Sequence, residues 1–341
     1  MTQKVLITGG AGYLGSELTK LLLKKKIQVI VVDTFYFGFD KLTKHPNLKI
    51  FHSNINNFNF KKKVDCVIDL AAVSNDPSGK LFKKSTKETN YLGRFELAKK
   101  AKKFGIKKYI LISSCSVYGK NNAMCYEDTK TNPLTEYSKN NLKAEKDILK
   151  LSSKHFSVTV LRLATLFGFS NRMRLDLAIN NMLYEGYFKG TIPLLRDGSQ
   201  QRPFININFV NKVIAKIINE KKIVKIQGQI FNVGHEEYNL KLKDLASLVK
   251  KIILKRYKKK SKIVLYGSKD NRDYFVNFDK LKKLSSFKVN KLENEIEKLL
   301  NNFISKKISV EQSKTLDWYN KLYEWNNYLD LINYNDHKLK K

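Results

Sequence analysis

The chain is short of the residues that staple or anchor a fold. It has 3 cysteines, Cys66, Cys115 and Cys125. They form no Cys-x-x-Cys pair and stand beside no clustered histidines, so neither a disulfide framework nor a metal site is expected. Cys115 reads as a small packing residue rather than a nucleophile. No apolar stretch approaches the roughly 20 residues of a membrane span, which argues against a membrane partner, and the first strand pattern begins at once without a signal peptide before it. A cytoplasmic location is the expectation. Tandem repeats and low-complexity linkers are absent as well.

Acidic residues are few: 31 aspartates and glutamates stand against 65 lysines and arginines, a formal net charge of +34. Clustered basic residues are the footprint of a nucleic-acid binder. Yet arginine, the residue that planar phosphate and base recognition prefers, is scarce, with eight of the 65 basic residues against 57 lysines. The lysines are spread along the chain on faces that read as solvated, such as Lys99, Lys100, Lys102 and Lys103, and the densest run, Lys255–Lys260, reads as a solvated helix end. No specific nucleic-acid partner is expected. A positive field would still draw any anionic substrate.

What is present is an ordinary globular core, with 42% hydrophobic residues in 341, enough for two substantial cores or one large one. Near its start the run Thr8-Gly9-Gly10-Ala11-Gly12-Tyr13-Leu14-Gly15 lies between a strand pattern (Val5–Ile7) and a helical one (Leu14, Leu18, Leu21, Leu22). Glycines there allow a tight turn and a close approach to a pyrophosphate, and the first free N–H groups of the helix face its charge. A second apolar run, Ile27–Val32, ends in Asp33, eighteen residues past Gly15. A carboxylate at that spacing accepts from adenosine ribose hydroxyls and repels a 2′-phosphate, which favours NAD over NADP.

Strand patterns at Val5–Thr8, Val29–Asp33, Leu48–Phe51, Val64–Ala71, Lys108–Ser113 and Val158–Leu163 alternate with helical ones at Gly12–Lys25, Thr86–Phe104 and Leu134–Leu151. That rhythm predicts a doubly wound parallel Rossmann sheet of the α/β class. After about Thr165 it breaks into a helix reaching Gly190, strands at Phe204–Ile207, Gln229–Val233 and Ile263–Leu265, and helices at Leu240–Lys255 and Leu292–Ile304. We expect a smaller, interleaved C-terminal α/β substrate domain closing over the carboxyl edge of the sheet. The expected division is 1–167, with 204–235 returning to it, for the NAD-binding domain, 168–203 and 236–309 for the substrate domain, and 310–341 as a C-terminal helical extension. Its helix at Val310–Tyr328 carries Trp318, Tyr319, Tyr323, Trp325 and Tyr328, an aromatic stripe that reads as core or an oligomer contact.

Several further motifs follow in order: Leu70-Ala71-Ala72, Asn90, Ser113-Ser114-Cys115-Ser116-Val117-Tyr118-Gly119, Pro133-x-x-x-Tyr137, Arg162–Gly168 and Arg202-Pro203-Phe204. With Thr8–Gly15 and Asp33, they make almost the whole chain resemble an extended short-chain dehydrogenase/reductase of the NAD-dependent epimerase/dehydratase family. Arg162 through Arg172-Met173-Arg174 and Asp176 to Asn180 is most similar to its nucleotide-sugar epimerase and 4-oxidoreductase branch. The resemblance implies NAD held by Gly9, Gly12, Tyr13, Leu14, Gly15, Asp33, Asn54, Ile55, Leu70, Ala71, Ala72 and Asn90. A nucleotide-sugar substrate would be held by Ser114, Asn180, Arg202 and Arg272. It also implies a homodimer through the helices around Asn90–Phe104 and Leu134–Leu151. Tyr137 takes the place of the family's base and Ser114 that of the residue orienting the sugar hydroxyl, usually at C4.

Two departures qualify that picture. The family pattern is Tyr-x-x-x-Lys, and here Asn141 stands in the lysine position. On a helix the i+4 residue lies almost above the tyrosine, whereas Lys139 and Lys143 point elsewhere. A phenol of pKa about 10 thus loses the cation that would lower it, so slowed or altered chemistry is expected, with a non-catalytic NAD-binding protein as the rival. Dehydratases of the family carry carboxylates where this chain has Cys115 and Ser116, which disfavours dehydration. Smaller departures are Asn54, Asn206 and Asn208, where the family usually has aspartate, histidine and aspartate.

Overall fold

The computed structural model describes residues 3–267 and 272–339, with side chains through Asn327. Asp270 and Asn271, quoted beside Arg272 in the sequence, and the Tyr328 side chain lie outside the described part. The chain opens with β1 (Lys4–Thr8), α1 (Tyr13–Lys24), β2 (Gln28–Asp33), β3 (Leu48–His52) and β4 (Cys66–Asp69). Next come α2 (Asp76–Leu81) and α3 (Lys83–Lys87), and the helix expected over Thr86–Phe104 consists of the end of α3, a π-helical turn (Glu88–Gly93) and α4 (Arg94–Lys103). Then come β5 (Lys108–Ser114), β6 (Lys120–Cys125), α5 (Glu136–Leu149), β7 (Ser157–Leu163) and β8 (Thr165–Phe167).

The second half runs α6 (Ala178–Phe188), β9 (Thr191–Leu195), β10 (Gln201–Asn206), α7 (Ile207–Asn219), β11 (Gln229–Val233), β12 (Asn239–Lys241) and α8 (Leu242–Tyr257). It continues through β13 (Lys262–Tyr266), β14 (Asp273–Val276), α9 (Asp279–Leu284), α10 (Leu292–Ser305), α11 (Val310–Ser313) and α12 (Thr315–Leu339). The Lys255–Lys260 run lies where α8 ends, with Lys258 in the left-handed C-cap position and Lys258–Lys260 exposed. Among the described residues no helix is long and apolar enough to cross a membrane, and no cluster of histidine, cysteine, aspartate and glutamate is placed to hold a metal.

Seven strands form one sheet in the order β3-β2-β1-β4-β5-β7-β11, every neighbouring pair parallel. The strands read as continuous apolar runs because both faces are covered. On one face Val5, Ile7, Val29 and Val31 pack with Leu18 and Leu22 of α1 and with Val213 and Ile217 of α7. On the other, Leu6, Ile30 and Val67 meet Leu97 and Ala101 of α4 and Ala144 and Ile148 of α5. Each such side chain, fully buried, contributes roughly 1.5–3 kcal/mol.

The sequence pattern predicts a strand at Phe204–Ile207 and no helix directly after it. In the structure β10 stops at Asn206, whose side chain accepts from the Asn208 N–H at 2.8 Å and so caps α7. The apolar positions Val210, Val213, Ile214, Ile217 and Ile218 then recur with helical spacing. Asn206 is thus the helix cap, Asn208 lies in the first turn and supplies the backbone N–H it takes, and Asn206 also donates to Glu295 at 2.6 Å.

Successive strands move outward from β1 on one side and from β4 on the other, which opens a crevice at the carboxyl ends of those two strands. Three small sheets, β8-β10-β12, β9-β13 and β6-β14, stand over that edge.

Candidate active site

A continuous cavity of about 1320 Å³ occupies the crevice, larger than the 300–1,000 Å³ usual for one small ligand. Its floor is made by the ends of the parallel strands. Gly9 follows β1 with φ of +67°, and a Cβ there would lie 2.9 Å from the Ala71 nitrogen, so only glycine fits. A Cβ on Gly15 would drive into the Gly9 carbonyl and the Gly10 Cα. Gly12 differs: a Cβ there would find only the Gly9 oxygen, at 3.1 Å, within 4 Å. The turn thus leaves an open cradle before α1, whose N-terminus has no side-chain cap and presents bare N–H groups and a positive dipole end. The residues present fit a dinucleotide pyrophosphate.

Asp33, at the end of β2, accepts the Ala11 N–H at 2.9 Å and the Phe35 N–H at 2.8 Å, one on each oxygen. Burial raises its carboxyl above the usual aspartate value, while these two bonds oppose that rise. Thr8 ties β1 to β4: its hydroxyl donates to Asp69 at 2.7 Å and accepts from the N–H groups of Leu70 and Ala71, each at 3.2 Å. Asp33, Asn54, Ile55, Leu70, Ala71 and Ala72 all line the cavity.

Ser114 ends β5 and Tyr137 stands in the first turn of α5; with Asn141 one turn on, all three face the cavity. Helix α5 starts there because Thr135 and Ser138 form a reciprocal capping box. It is bolted to the sheet by Glu145, which takes Arg162 of β7 through two nitrogens at 3.0 and 2.8 Å and also the Ser113 hydroxyl. Gly79 of α2 lies against Tyr137, where a Cβ would come within 3.2 Å of the tyrosine Cβ. Burial and the neighbouring Asp76 push the Tyr137 hydroxyl above its ordinary value, whereas Arg94, Arg174 and the Asn141 amide pull it down. Asp76 is itself engaged by Arg272 and by the Thr135 hydroxyl. Cys115 is buried, its thiol against the Arg162 carbonyl at 3.3 Å, and burial pushes that thiol well up. It does not line the cavity.

Five of the chain's eight arginines, Arg94, Arg172, Arg174, Arg202 and Arg272, line this one cavity. Arg174 pairs with Asp176 at 2.6 Å. Burial alone would raise the Asp176 carboxyl, but Arg174 overcomes that and holds it at about 2. Arg172 sits 3.6 Å over the Phe37 ring and donates to the Thr315 hydroxyl at 3.1 Å. Burial and its neighbour Arg174 lower its pKa to about 10.

Helix α12 roofs the cavity with Leu316, Tyr319, Leu322, Tyr323, Trp325 and Asn326. It is pinned by the Trp318 indole N–H, 2.6 Å from the Tyr36 carbonyl, and by rings of Tyr319 and Tyr323 against Phe82. The aromatic stripe expected in core or at an oligomer contact is therefore, in part, cavity wall.

Two expected site residues are set back from the cavity. Asn90 is fully buried and clamps Val73, accepting its N–H at 2.8 Å and donating to its carbonyl at 3.0 Å. Asn180 is equally buried, and its amide is spent on the Gly168 N–H, the Tyr13 hydroxyl and the Arg174 carbonyl. Its neighbour Asn181 reaches the cavity instead. The Tyr13 hydroxyl turns away likewise, donating to the Gly168 carbonyl at 2.7 Å.

A seven-stranded parallel sheet with a glycine turn after β1, and an aspartate, a serine and a tyrosine on one cavity at its carboxyl edge, defines a Rossmann-like nucleotide-binding fold. The chain matches the model of the NAD dependent epimerase/dehydratase family over residues 5–234, and it belongs to that family. It is 25% identical over 298 residues to the UDP-glucuronate 4-epimerase of Thermodesulfobacterium geofontis, a match covering 82% of this chain and 89% of the relative. The UDP-glucose 4-epimerase of Lactobacillus helveticus is 28% identical over 274 residues, covering 72% and 81%. Among solved structures, the UDP-glucuronic acid 4-epimerase from Bacillus cereus in complex with UDP-glucuronic acid and NAD has the same fold. The TM-score is 0.78 at 23% identity, covering 88% of this chain and 98% of that one.

Proposed function

We propose that the protein is an NAD-dependent enzyme that oxidises, and in an epimerisation re-reduces, the C4 hydroxyl of a nucleotide-linked sugar. The observation that carries this reading is the shared cavity: the glycine cradle and Asp33 lie on the same walls as Ser114 and Tyr137, with Arg202 and Arg272 also among its lining. Gly9, Gly12, Leu14, Gly15, Asp33, Asn54, Ile55 and Leu70–Ala72 would hold the dinucleotide. Asn90 and Asn180 support that wall from behind. Bound NAD would supply the hydride acceptor for oxidation of the sugar carbon and, once reduced, the hydride donor for its re-reduction.

The chain's own part is binding and proton transfer. Arg202 and Arg272 grip the diphosphate, as guanidinium forks do. Ser114 orients the sugar hydroxyl. Tyr137 accepts its proton as the carbon–hydrogen bond breaks and the carbonyl forms, and gives the proton back on reduction. Cys115 is shut away and Ser116 offers no carboxylate, which favours this chemistry over elimination of water. The outer faces of α4 and α5, where Phe104 and the nearby Leu134 are exposed, would form a homodimer.

A second reading, a non-catalytic NAD-binding protein, draws on the neutral Asn141 in the cavity wall. Turnover separates the two. Purified protein with NAD and uridine, guanosine, cytidine and thymidine diphosphate sugars should interconvert epimers or accumulate NADH, and Tyr137→Phe should abolish this. No turnover on any of them refutes the enzyme reading.

A further inference from the structure

Asn141 removes a positive charge from the position above Tyr137, but the space around it is not without one. Arg94, the first residue of α4, is 2% exposed and lines the cavity. Its Nη1 donates to the Asn141 Oδ1 at 3.0 Å and its Nε to the Ala71 carbonyl at 2.9 Å. Guanidinium has donors only, so this bond fixes which way the Asn141 amide points: Oδ1 to Arg94, Nδ2 away from it. That Nδ2, in a residue 1% exposed, makes no hydrogen bond within 3.5 Å among the described residues, and is the donor of the Asn141 amide left to act on the Tyr137 hydroxyl.

We propose that Arg94, acting through Asn141, is the positioning residue that replaces the missing lysine: its charge and the amide it orients favour the ionised Tyr137 hydroxyl. This rests on the assignment of Tyr137 as base given above. The cation has been moved from α5 to α4, with an amide interposed.

The opposing reading is that Arg94 is present only to pair with Asp69. The distances favour the cavity side. Asp69 already accepts the Thr8 and Tyr109 hydroxyls, each at 2.7 Å, and Arg94 stays 3.6 Å from its carboxylate while making shorter bonds to Ala71 and Asn141. The charged groups around Tyr137 are Asp76 on α2, with Arg272 on it, Arg94 on α4, and Arg174 before α6. Burial and Asp76 oppose ionisation and together keep the hydroxyl above its ordinary value, while Arg94 and Arg174 favour it; of these two only Arg94 is hydrogen-bonded to Asn141. A positive charge at this range stabilises phenolate over phenol.

The test compares Arg94→Gln, Asn141→Lys and the double variant, read by the pH profile of kcat and by carbon-13 NMR titration of tyrosine Cζ in the full chain, with Tyr137→Phe to assign the resonance. Arg94→Gln should lower kcat at pH 7 by at least about tenfold, within what a general base contributes, with KM little changed and the loss shrinking as pH rises. Its Tyr137 resonance should titrate at higher pH than in the native chain. Asn141→Lys alone should bring no gain, since a second cation meets Arg94. The double variant should recover most of the activity.

A tenfold gain from Asn141→Lys alone, or an Arg94→Gln loss that is the same at every pH, overturns the proposal. Should Arg94→Gln fail to fold, Asn141→Leu keeps Arg94, removes the amide, and must still move the Tyr137 titration upward. If the native chain turns over no nucleotide sugar, the enzyme reading falls, while the NMR titration still decides the role of Arg94: an unmoved Tyr137 refutes it.

Discussion

Replacing Asp33 by asparagine should exchange the cofactor preference without unfolding the chain. Both carboxylate oxygens already accept one backbone N–H, from Ala11 at 2.9 Å and Phe35 at 2.8 Å. A carboxylate has about four acceptor sites, so about two remain toward the cavity, enough for two ribose hydroxyls. Asparagine keeps one oxygen and turns the other into a donor. One hydrogen bond to a charged group, about 1.5–3 kcal/mol, is then lost from NAD binding, which corresponds to about 10- to 150-fold in Kd.

NADP has no such bond to lose and is freed from a repelling charge, so its Kd should stay level or fall. Calorimetric titration of both dinucleotides against native protein and Asp33→Asn, with thermal unfolding as the control for folding, measures the ratio. Acid should mimic the substitution. Because burial raises the Asp33 carboxyl, NAD affinity is complete above that raised value and is lost on acidification before an ordinary aspartate would protonate. An NAD-to-NADP ratio unchanged by Asp33→Asn refutes the assignment of Asp33 to the ribose.

Two more outcomes test the framework of the site. Glu145→Gln leaves Arg162 buried without its counter-charge, 4% exposed where Glu145 is 1%; chemical denaturation should show a loss of about 3–5 kcal/mol, and a change under 1 kcal/mol would mean that the pair does not anchor α5. The chain's 2 tryptophans, Trp318 and Trp325, both belong to α12, so nucleotide binding should change tryptophan emission. Binding seen by calorimetry with no change in emission would contradict α12 as the roof.

The glycine turn and the central sheet were legible because their signals are local: a strand period, a turn, a helix period and an acid at fixed spacing. The short strands β6, β8, β9, β12 and β14, of three to six residues, hold too few alternations to register. Helix α7 was hidden by its beginning, since the apolar run from Phe204 into Ile207 continues a strand pattern straight into a capped helix. For α12, an aromatic stripe that faces a cavity has the same spacing as one that faces a core. Asn90 and Asn180 were placed by resemblance alone, and resemblance did not distinguish a side chain in the wall from one behind it.

Arg94 was missed because a basic residue at the start of a lysine-rich helix reads as solvated. Composition did carry a signal. Where lysine is the default cation, the few positions that keep arginine are those that need a fork rather than a point charge, and five of eight surround one cavity.

The most direct test of the central claim follows a label. A uridine diphosphate sugar carrying deuterium at C4 is incubated with the protein and NAD, and the product and cofactor are analysed by mass spectrometry and proton NMR. Hydride transfer at C4 requires the deuterium to remain on C4 of the epimer or to appear in the reduced cofactor, with none released to water, and Tyr137→Phe to stop both. Interconversion with the deuterium washed into solvent, or interconversion that survives Tyr137→Phe, would contradict it.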